Sequence, residues 1–261
     1  MAVIIERILF LADTNKFDEH WDENFCEEIP ATKRAEAQRF LRPLFDYQKS
    51  HGRVFVLDAG CGDGIHLKVI TSNANALEGS SFVALDISMS ALSISQRRRQ
   101  INWTFVQGDV GKLPFEDNQF DIVYSFGVIA YTDNPFLSFS ELCRVTRKGG
   151  YIGIWVYPKT SGVGGALFLL IRKACQVIGP RGSVLIADCI VPFLGFLPTR
   201  SKMSLANASW RQCREVVLVN VAPSQLYFPE PSEVEAWFSE NNIKIVCRDD
   251  AAPITLWGEK C

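Results

Sequence analysis

Val54-Phe-Val-Leu-Asp-Ala-Gly-Cys-Gly-Asp-Gly64 is an apolar run that ends on an acidic residue, Asp58, and then sets glycines at the alternate positions 60, 62 and 64. It reads as a buried strand that stops and turns sharply into a helix opened by Gly64. Glycines stand where a ligand or another segment of backbone must come close. A dinucleotide fingerprint would space its glycines G-x-G-x-x-G, the third packing helix against strand. Ile65 occupies that third place. A pyrophosphate would be held on the helix N-terminus, whereas a carboxylate just upstream suits a ligand with a positive amino group. Taken alone, the glycines also fit any tight strand-to-helix turn.

The pattern repeats downstream. Ser81-Phe-Val-Ala-Leu-Asp86 is a second apolar strand ending in a carboxylate, and Asp86 lies 26 residues beyond Gly60. Nucleoside-binding α/β units place the acid that holds ribose hydroxyls at about that distance. Trp103-Thr-Phe-Val-Gln-Gly-Asp109 is a third such strand, Phe120-Asp-Ile-Val-Tyr-Ser-Phe126 a fourth, and Tyr151-Ile-Gly-Ile-Trp-Val156 a fifth after a Gly149-Gly150 break. Helix signals fall between them: Ser88 caps Met89 to Arg98, and Pro135 follows Asn134 in a first turn. Ser232-Glu-Val-Glu235 reads as a capping box ahead of the stripe Val234, Trp237 and Phe238. This alternation predicts an α/β fold, a doubly wound parallel sheet with helices on both faces. Ile243–Cys247 and Pro253–Trp257 read as two more strands joined by an Asp-rich turn.

These motifs, in this order, resemble the class I S-adenosylmethionine-dependent methyltransferases, in particular the small-molecule group that includes the quinone-pathway enzymes. The resemblance is close over about residues 50 to 158 and looser from Pro229 onward. It implies a Rossmann-like, mostly parallel seven-stranded sheet with an antiparallel last strand. Around it the chain divides into an N-terminal helical cap (1–50), an S-adenosylmethionine-binding core (51–158), an insertion (159–228) and a closing helix and strand pair (229–261). S-adenosylmethionine would be the donor, S-adenosylhomocysteine the product, and a small, partly apolar molecule the acceptor at oxygen, nitrogen or carbon.

For the cofactor, the resemblance implies that Gly60, Cys61 and Gly62 press backbone against the methionine portion while Asp58 balances its ammonium group or merely forms the turn. Asp86 and Ile87 would hold the ribose. Gly108, Asp109 and Val110 would meet the adenine, and Ser125 and Phe126 would end the fourth strand at the crevice facing the methyl group. Asp121 reads as structural. No metal-ligand pattern is present. The family often has a histidine shortly after the fourth strand, and this chain has Tyr131 there. Tyr131 and His20, the latter in the N-terminal cap, are the candidates for proton transfer, although alignment and water exclusion can suffice for methyl transfer. His51 adjoins a turn glycine, and His66 falls in the helix after the glycine loop, where packing or a cofactor-edge role fits. A non-catalytic nucleoside-binding or protein-interaction module on the same fold is the alternative, which fold alone does not decide.

The remaining features set bounds. The chain has 261 residues, 48% hydrophobic and 21% charged, with a net charge of −2. That is ordinary globular composition with no general pull toward nucleic acid. Eight cysteines form no C-x-x-C pair, so reduced core cysteines are expected. The apolar start, Met1 to Ala12, contains Glu6 and Arg7 and is too short to span a bilayer, which predicts no signal peptide and a cytoplasmic protein. The stretch Lys159 to Phe228 is far longer than usual α/β connections. Its apolar blocks are interrupted by charges before reaching the ~18 residues of a membrane span. It is a helical subdomain on the core, a lid with Leu169 and Phe193 walling the acceptor, or a peripheral membrane contact. Oligomeric state leaves no trace in the sequence.

Overall fold

The computed structural model describes residues 31–72, 79–97, 103–157, 162–194, 226–249 and 254–261, with the single positions 210, 213, 214 and 217. Strands β1 (Phe55–Ala59), β2 (Ser81–Asp86), β3 (Trp103–Gln107), β4 (Phe120–Phe126) and β5 (Thr146–Val156) run parallel. With β6 (Ile243–Arg248) and β7 (Ile254–Lys260) they form one seven-stranded sheet in the order β3-β2-β1-β4-β5-β7-β6, in which β7 is antiparallel to both neighbours. The strand order reverses between β1 and β4, so the crevice beyond their carboxyl ends is where such sheets bind ligands.

The helices are α1 (Ala31–Phe40), α2 (Arg42–His51), α3 (Ile65–Thr71), α4 (Met89–Arg97), α5 (Pro135–Val145), α6 (Gly162–Leu194) and α7 (Pro231–Glu240), and those other than α6 cover both faces of the sheet. Side chains alternate between faces along each strand. Leu57, Val83, Leu85, Val123, Ile152 and Ile154 meet α5 and α7 through Phe139, Leu142 and Phe238. Val54, Val56, Ile122, Tyr124 and Trp257 meet α1, α2 and α3 through Phe40, Leu44 and Ile70. Helices α1 and α2 thus cover one sheet face directly, and Tyr47 of α2 donates its hydroxyl to the Gly149 carbonyl at 3.1 Å.

Three local expectations change. α7 has no capping box: it starts at Pro231 behind Glu230, with no side-chain cap, and Ser232 is already inside the first turn. Proline supplies the start because its missing N–H was unpaired anyway. β5 begins at Thr146, not Tyr151, because Thr146 already pairs with Phe120 and the register shift is absorbed around Gly149, at φ 71°. β7 runs on to Lys260, whose Nζ donates to the carbonyls of Cys143 and Thr146, both at 2.7 Å, and so closes the C-terminus of α5. Elsewhere the signals hold. Ser88 Oγ accepts from Ala91 N–H at 3.1 Å, and Asn134 Oδ1 accepts from Leu137 N–H ahead of Pro135. Asp121 is structural: its Oδ2 accepts from Phe55 N–H at 2.6 Å and its Oδ1 pairs with Arg147, fixing the start of β1 to β4. Cys61, Cys143 and Cys175 are buried free thiols and Cys213 is buried as well, while Cys189, Cys247 and Cys261 are exposed free thiols.

β5 and β7 pack so closely because Gly153 sits opposite Trp257 in the register, and a Cβ at 153 would enter the indole ring. Trp257 is almost fully buried and cannot swing out. Gly153→Ala should therefore cost about 1–3 kcal/mol by overpacking, read as a lower urea midpoint at unchanged slope. An unchanged midpoint would mean that the indole yields.

Candidate cofactor and acceptor site

The loop after β1 turns through three left-handed glycines, Gly60 (φ 89°), Gly62 (φ 51°) and Gly64 (φ 78°). It is stitched to the end of β2. Gly60 and Cys61 N–H both donate to the Leu85 carbonyl, at 2.7 and 2.9 Å, and Gly62 N–H donates to Asp86 Oδ2 at 2.8 Å. Ser95 of α4 donates its hydroxyl to the Gly62 carbonyl at 2.6 Å. Gly60 has a structural reason as well: a Cβ there would overlap the side chain of Val128. The Cys61 thiol is buried and held well above its ordinary pKa by desolvation, then by Asp86 and Asp58, so it is an inert packing group.

Asp86 also accepts Ser88 N–H on Oδ1 at 2.9 Å. A carboxylate offers about four acceptor positions, and these two bonds tie the loop and the start of α4 to one side chain. Asp58, at the end of β1, is buried among other acids. Its Oδ2 accepts from the Tyr124 hydroxyl at 2.9 Å, while its Oδ1 has no hydrogen-bond partner. Burial, reinforced by Asp86 and Asp63 and opposed by the Tyr124 bond, pushes its carboxyl up to about 8. Beyond β3, Asp109 is exposed and its Oδ1 accepts from Gly111 N–H at 2.7 Å, making a tight turn. Gly108 N–H donates to the Asp86 carbonyl, and Val110 is buried in the sheet core. Ile87 is half-buried, and its carbonyl accepts from Gln107 Nε2 at 3.1 Å. Asp58, Asp86 and Asp109 therefore lie on the carboxyl ends of, or just beyond, three neighbouring strands.

The other wall is aromatic. Phe126, at the end of β4, stacks on Trp155 at 4.6 Å and meets Phe40 of α1 at 5.0 Å and His66 of α3 at 4.5 Å. Tyr157 meets Trp155 edge-on, and Tyr131 follows in the single 3-10 turn Ile129–Tyr131. Ser125 is fully buried and its hydroxyl donates to the Ala59 carbonyl at 2.8 Å, so that side chain ties β4 to β1. The Tyr131 phenol shares a hydrogen bond with Tyr157 and is pushed above its ordinary range by burial, so it stays protonated at neutral pH. His66 is buried, brought down to about 4 by desolvation, and its Nε2 has no partner. Neither is a ready base. His51 is exposed and stacks on Tyr47. His20 lies outside the described residues, and Phe193 falls in the last turn of α6. Leu169 is 52% exposed, which does not match a wall of an enclosed pocket.

Sequence reasoning missed the supports of this site. Tyr124 fixes Asp58, and Gln107 fixes the turn after β2. Arg144 of α5 holds the segment after β3 through the carbonyls of Leu113 and Phe115, while Glu141 accepts Leu113 N–H at 2.9 Å. The only available signal was Glu141 three residues before Arg144 on one helix face, which says nothing about the distant loop it grips.

Residues 57–154 match the methyltransferase domain family. The chain is 40% identical over 96 residues to a demethylmenaquinone methyltransferase of Renibacterium salmoninarum, covering 36% of this chain and 38% of that protein. It is 34% identical over 109 residues to a malonyl-[acyl-carrier protein] O-methyltransferase of Pectobacterium atrosepticum, covering 42% and 41%. The chain thus spans about two fifths of the length of these curated relatives. The fold is shared with the magnesium protoporphyrin IX methyltransferase of Synechocystis PCC 6803, solved with bound S-adenosylhomocysteine, at a TM-score of 0.54 and 14% identity over 95% of this chain and 98% of that one. The acidic strand ends and the left-handed glycine loop at the switch point of the sheet fall within residues 57–154, the stretch that matches the methyltransferase domain family.

Proposed function

We propose that the chain moves a methyl group from S-adenosylmethionine to a small, partly apolar acceptor, aromatic or prenylated in character. The observation that carries this reading is the pairing of an acidic, backbone-rich cradle with an aromatic wall across one crevice. The cradle fits the cofactor by its own chemistry. Asp86 presents a carboxylate oriented by Gly62 and Ser88 N–H, the type of acceptor a ribose diol needs, and Asp58 Oδ1 is a buried acceptor that lacks a donor, which an ammonium group would supply. S-adenosylmethionine, when bound, would supply a sulfonium methyl to the acceptor in line, the carbon–sulfur bond breaking as the new bond forms and S-adenosylhomocysteine leaving.

The chain's part is alignment. Asp86 and Asp109 hold the nucleoside end, and the glycine loop and Asp58 hold the amino-acid end. Phe126, Trp155 and Tyr157 form a dry shelf for a carbon-rich acceptor, at about 25 cal/mol per Å² buried. The protonated Tyr131 phenol acts as a hydrogen-bond donor to an acceptor oxygen, not as a base. Positioning and water exclusion of this kind account for much of the rate of such displacements.

Three outcomes follow from this placement. S-adenosylhomocysteine at 100 times its dissociation constant should stabilise the fold by about 2.7 kcal/mol, seen as a raised melting temperature. NAD should leave it unchanged, and a shift with NAD alone would overturn the assignment. Asp86→Ala should weaken S-adenosylhomocysteine by about ten- to a hundredfold by calorimetry. The variant will also melt lower, since Gly62 and Ser88 N–H lose their acceptor. Undiminished affinity would leave Asp86 as a loop tie only.

The third outcome concerns pH. With its carboxyl raised from 3.8 to about 8, Asp58 is protonated in the free protein at neutral pH. A raised carboxyl lowers the free protein's stability as pH climbs from the unfolded value to the folded one. A bound ammonium reverses the preference, so binding releases a proton. Affinity should then rise by up to about tenfold per pH unit toward pH 8 and level off there. His66, near 4, does not titrate in that window. Asp58→Asn should flatten the profile, and a flat wild-type profile between pH 6 and 8 would place the ammonium elsewhere.

A further inference from the structure

Helix α6 carries an apolar face that is exposed among the described residues. Its direction breaks at Gly179 (φ 75°, ψ −174°), giving two consecutive helices. Inward, Cys175, Ala187 and Val191 pack with Cys213 and Val217 as a small core of their own. Outward, Leu170 is 66% exposed, Val177 80% and Leu185 68%, with Leu167 and Ile178 more than half or half exposed. At 3.6 residues per turn, Leu167, Leu170, Ala174, Val177 and Ile178 fall within an arc of roughly 100°. Exposed Lys173 stands at its edge. Of the ten large apolar side chains exposed among the described residues, six are on α6, and Trp210 of the same segment is another. Scattered exposed leucines are ordinary, but a concentrated patch marks an interaction surface.

Charge says which kind. Residues 159–228 hold eight Lys/Arg against two Asp/Glu, while the rest of the chain holds 19 against 27. The overall charge of −2 conceals a cationic insertion on an acidic body. Of the two acids, Asp188 is already engaged by Arg214 at 3.7 Å and by Trp210 Nε1 at 3.3 Å. No helix among the described residues is long and apolar enough to cross a membrane. A second copy of the chain would set one cationic insertion against another, which like-charge repulsion disfavours.

We propose that the outward face of α6 docks on an anionic lipid surface, its leucines and valine entering the headgroup boundary while the insertion's surplus cations meet lipid phosphates. Apolar area supplies attachment and charge selects the surface, and an exposed tryptophan suits the interface. The docking does not depend on the methyl-transfer reading. Only its corollary does: that the acceptor is drawn from the lipid phase. The link is short, since Arg172 of α6 is close enough to act on the Tyr131 phenol at the acceptor wall.

The test is flotation of the full chain with vesicles of phosphatidylcholine alone and of phosphatidylcholine with about one third phosphatidylglycerol. The chain should float with the anionic vesicles, weakly or not at all with the neutral ones, and less as salt rises. Leu170→Glu with Val177→Glu should cut vesicle partitioning at least about tenfold. Both side chains are exposed, so the melting temperature and its rise with S-adenosylhomocysteine should stay as in the wild type. A wild type that stays soluble beside anionic vesicles, or a variant that floats equally well, overturns the proposal. So does a wild-type oligomer that the variant disperses without any flotation, which would assign the face to a second copy. Loss of the S-adenosylhomocysteine response in the wild type would count against the methyl-transfer reading alone.

Discussion

The carboxylate that ends β2 ties the glycine loop to the sheet. Asp86 takes Gly62 N–H on one oxygen and Ser88 N–H on the other, and the preceding Leu85 carbonyl takes Gly60 and Cys61 N–H. A left-handed loop has few internal bonds to satisfy its own donors, and each buried N–H left unmet costs about 1–3 kcal/mol. The conformation of the loop is therefore set by its neighbour strand. The same carboxylate starts α4 by fixing the turn at Ser88. A ligand that binds Asp86 engages a group that is already oriented, so little ordering remains to be done on binding.

This economy explains why the fold was legible. Apolar strands ending in acids appear in the sequence because the acids have work at the strand ends, and β2 and β4 match their sequence bounds residue for residue. Where a boundary depends on partners far along the chain, local reading stops short. β5 gains its first residues from Thr146 pairing with Phe120, and β7 gains its last from pairing on both sides and from Lys260 reaching α5. The supposed capping box failed for another reason. Ser232 has the right composition, but Pro231 before it already fixes a helical backbone angle, so the start moves upstream to Glu230.

In the site, strand-end residues could be named from sequence and their states could not. That Asp58 is an acid after a strand is visible in the chain. That it is sealed among Tyr124, Asp63 and Asp86, and so has its carboxyl pushed up to about 8, follows only from packing. The same holds for Tyr131. Its place after β4 marks it, but burial against Tyr157 turns a candidate base into a donor. Ser125 moved the other way: named for the crevice, its hydroxyl serves the sheet. Proton-transfer roles were the least legible because pKa values depend on desolvation and neighbours, not on residue identity.

Whole-chain averages misled most over the insertion. A net charge near zero describes neither part of a chain whose cations and acids are segregated, and the lack of a helix long and apolar enough to cross a membrane among the described residues leaves open lying on one. The exposed arc of α6 supplies the distinction, since a subdomain that only capped the core would turn those leucines inward. A helix is about 10 Å across. Arg172 points inward toward Tyr131 while Leu170 and Val177 point outward, so the acceptor wall and the outward face are separated by little more than one helix. On the proposed reading, a carbon-rich acceptor against Phe126, Trp155 and Tyr157 and a lipid-facing surface outside would be consistent demands on one segment, because an apolar acceptor is scarce in water and concentrated in lipid.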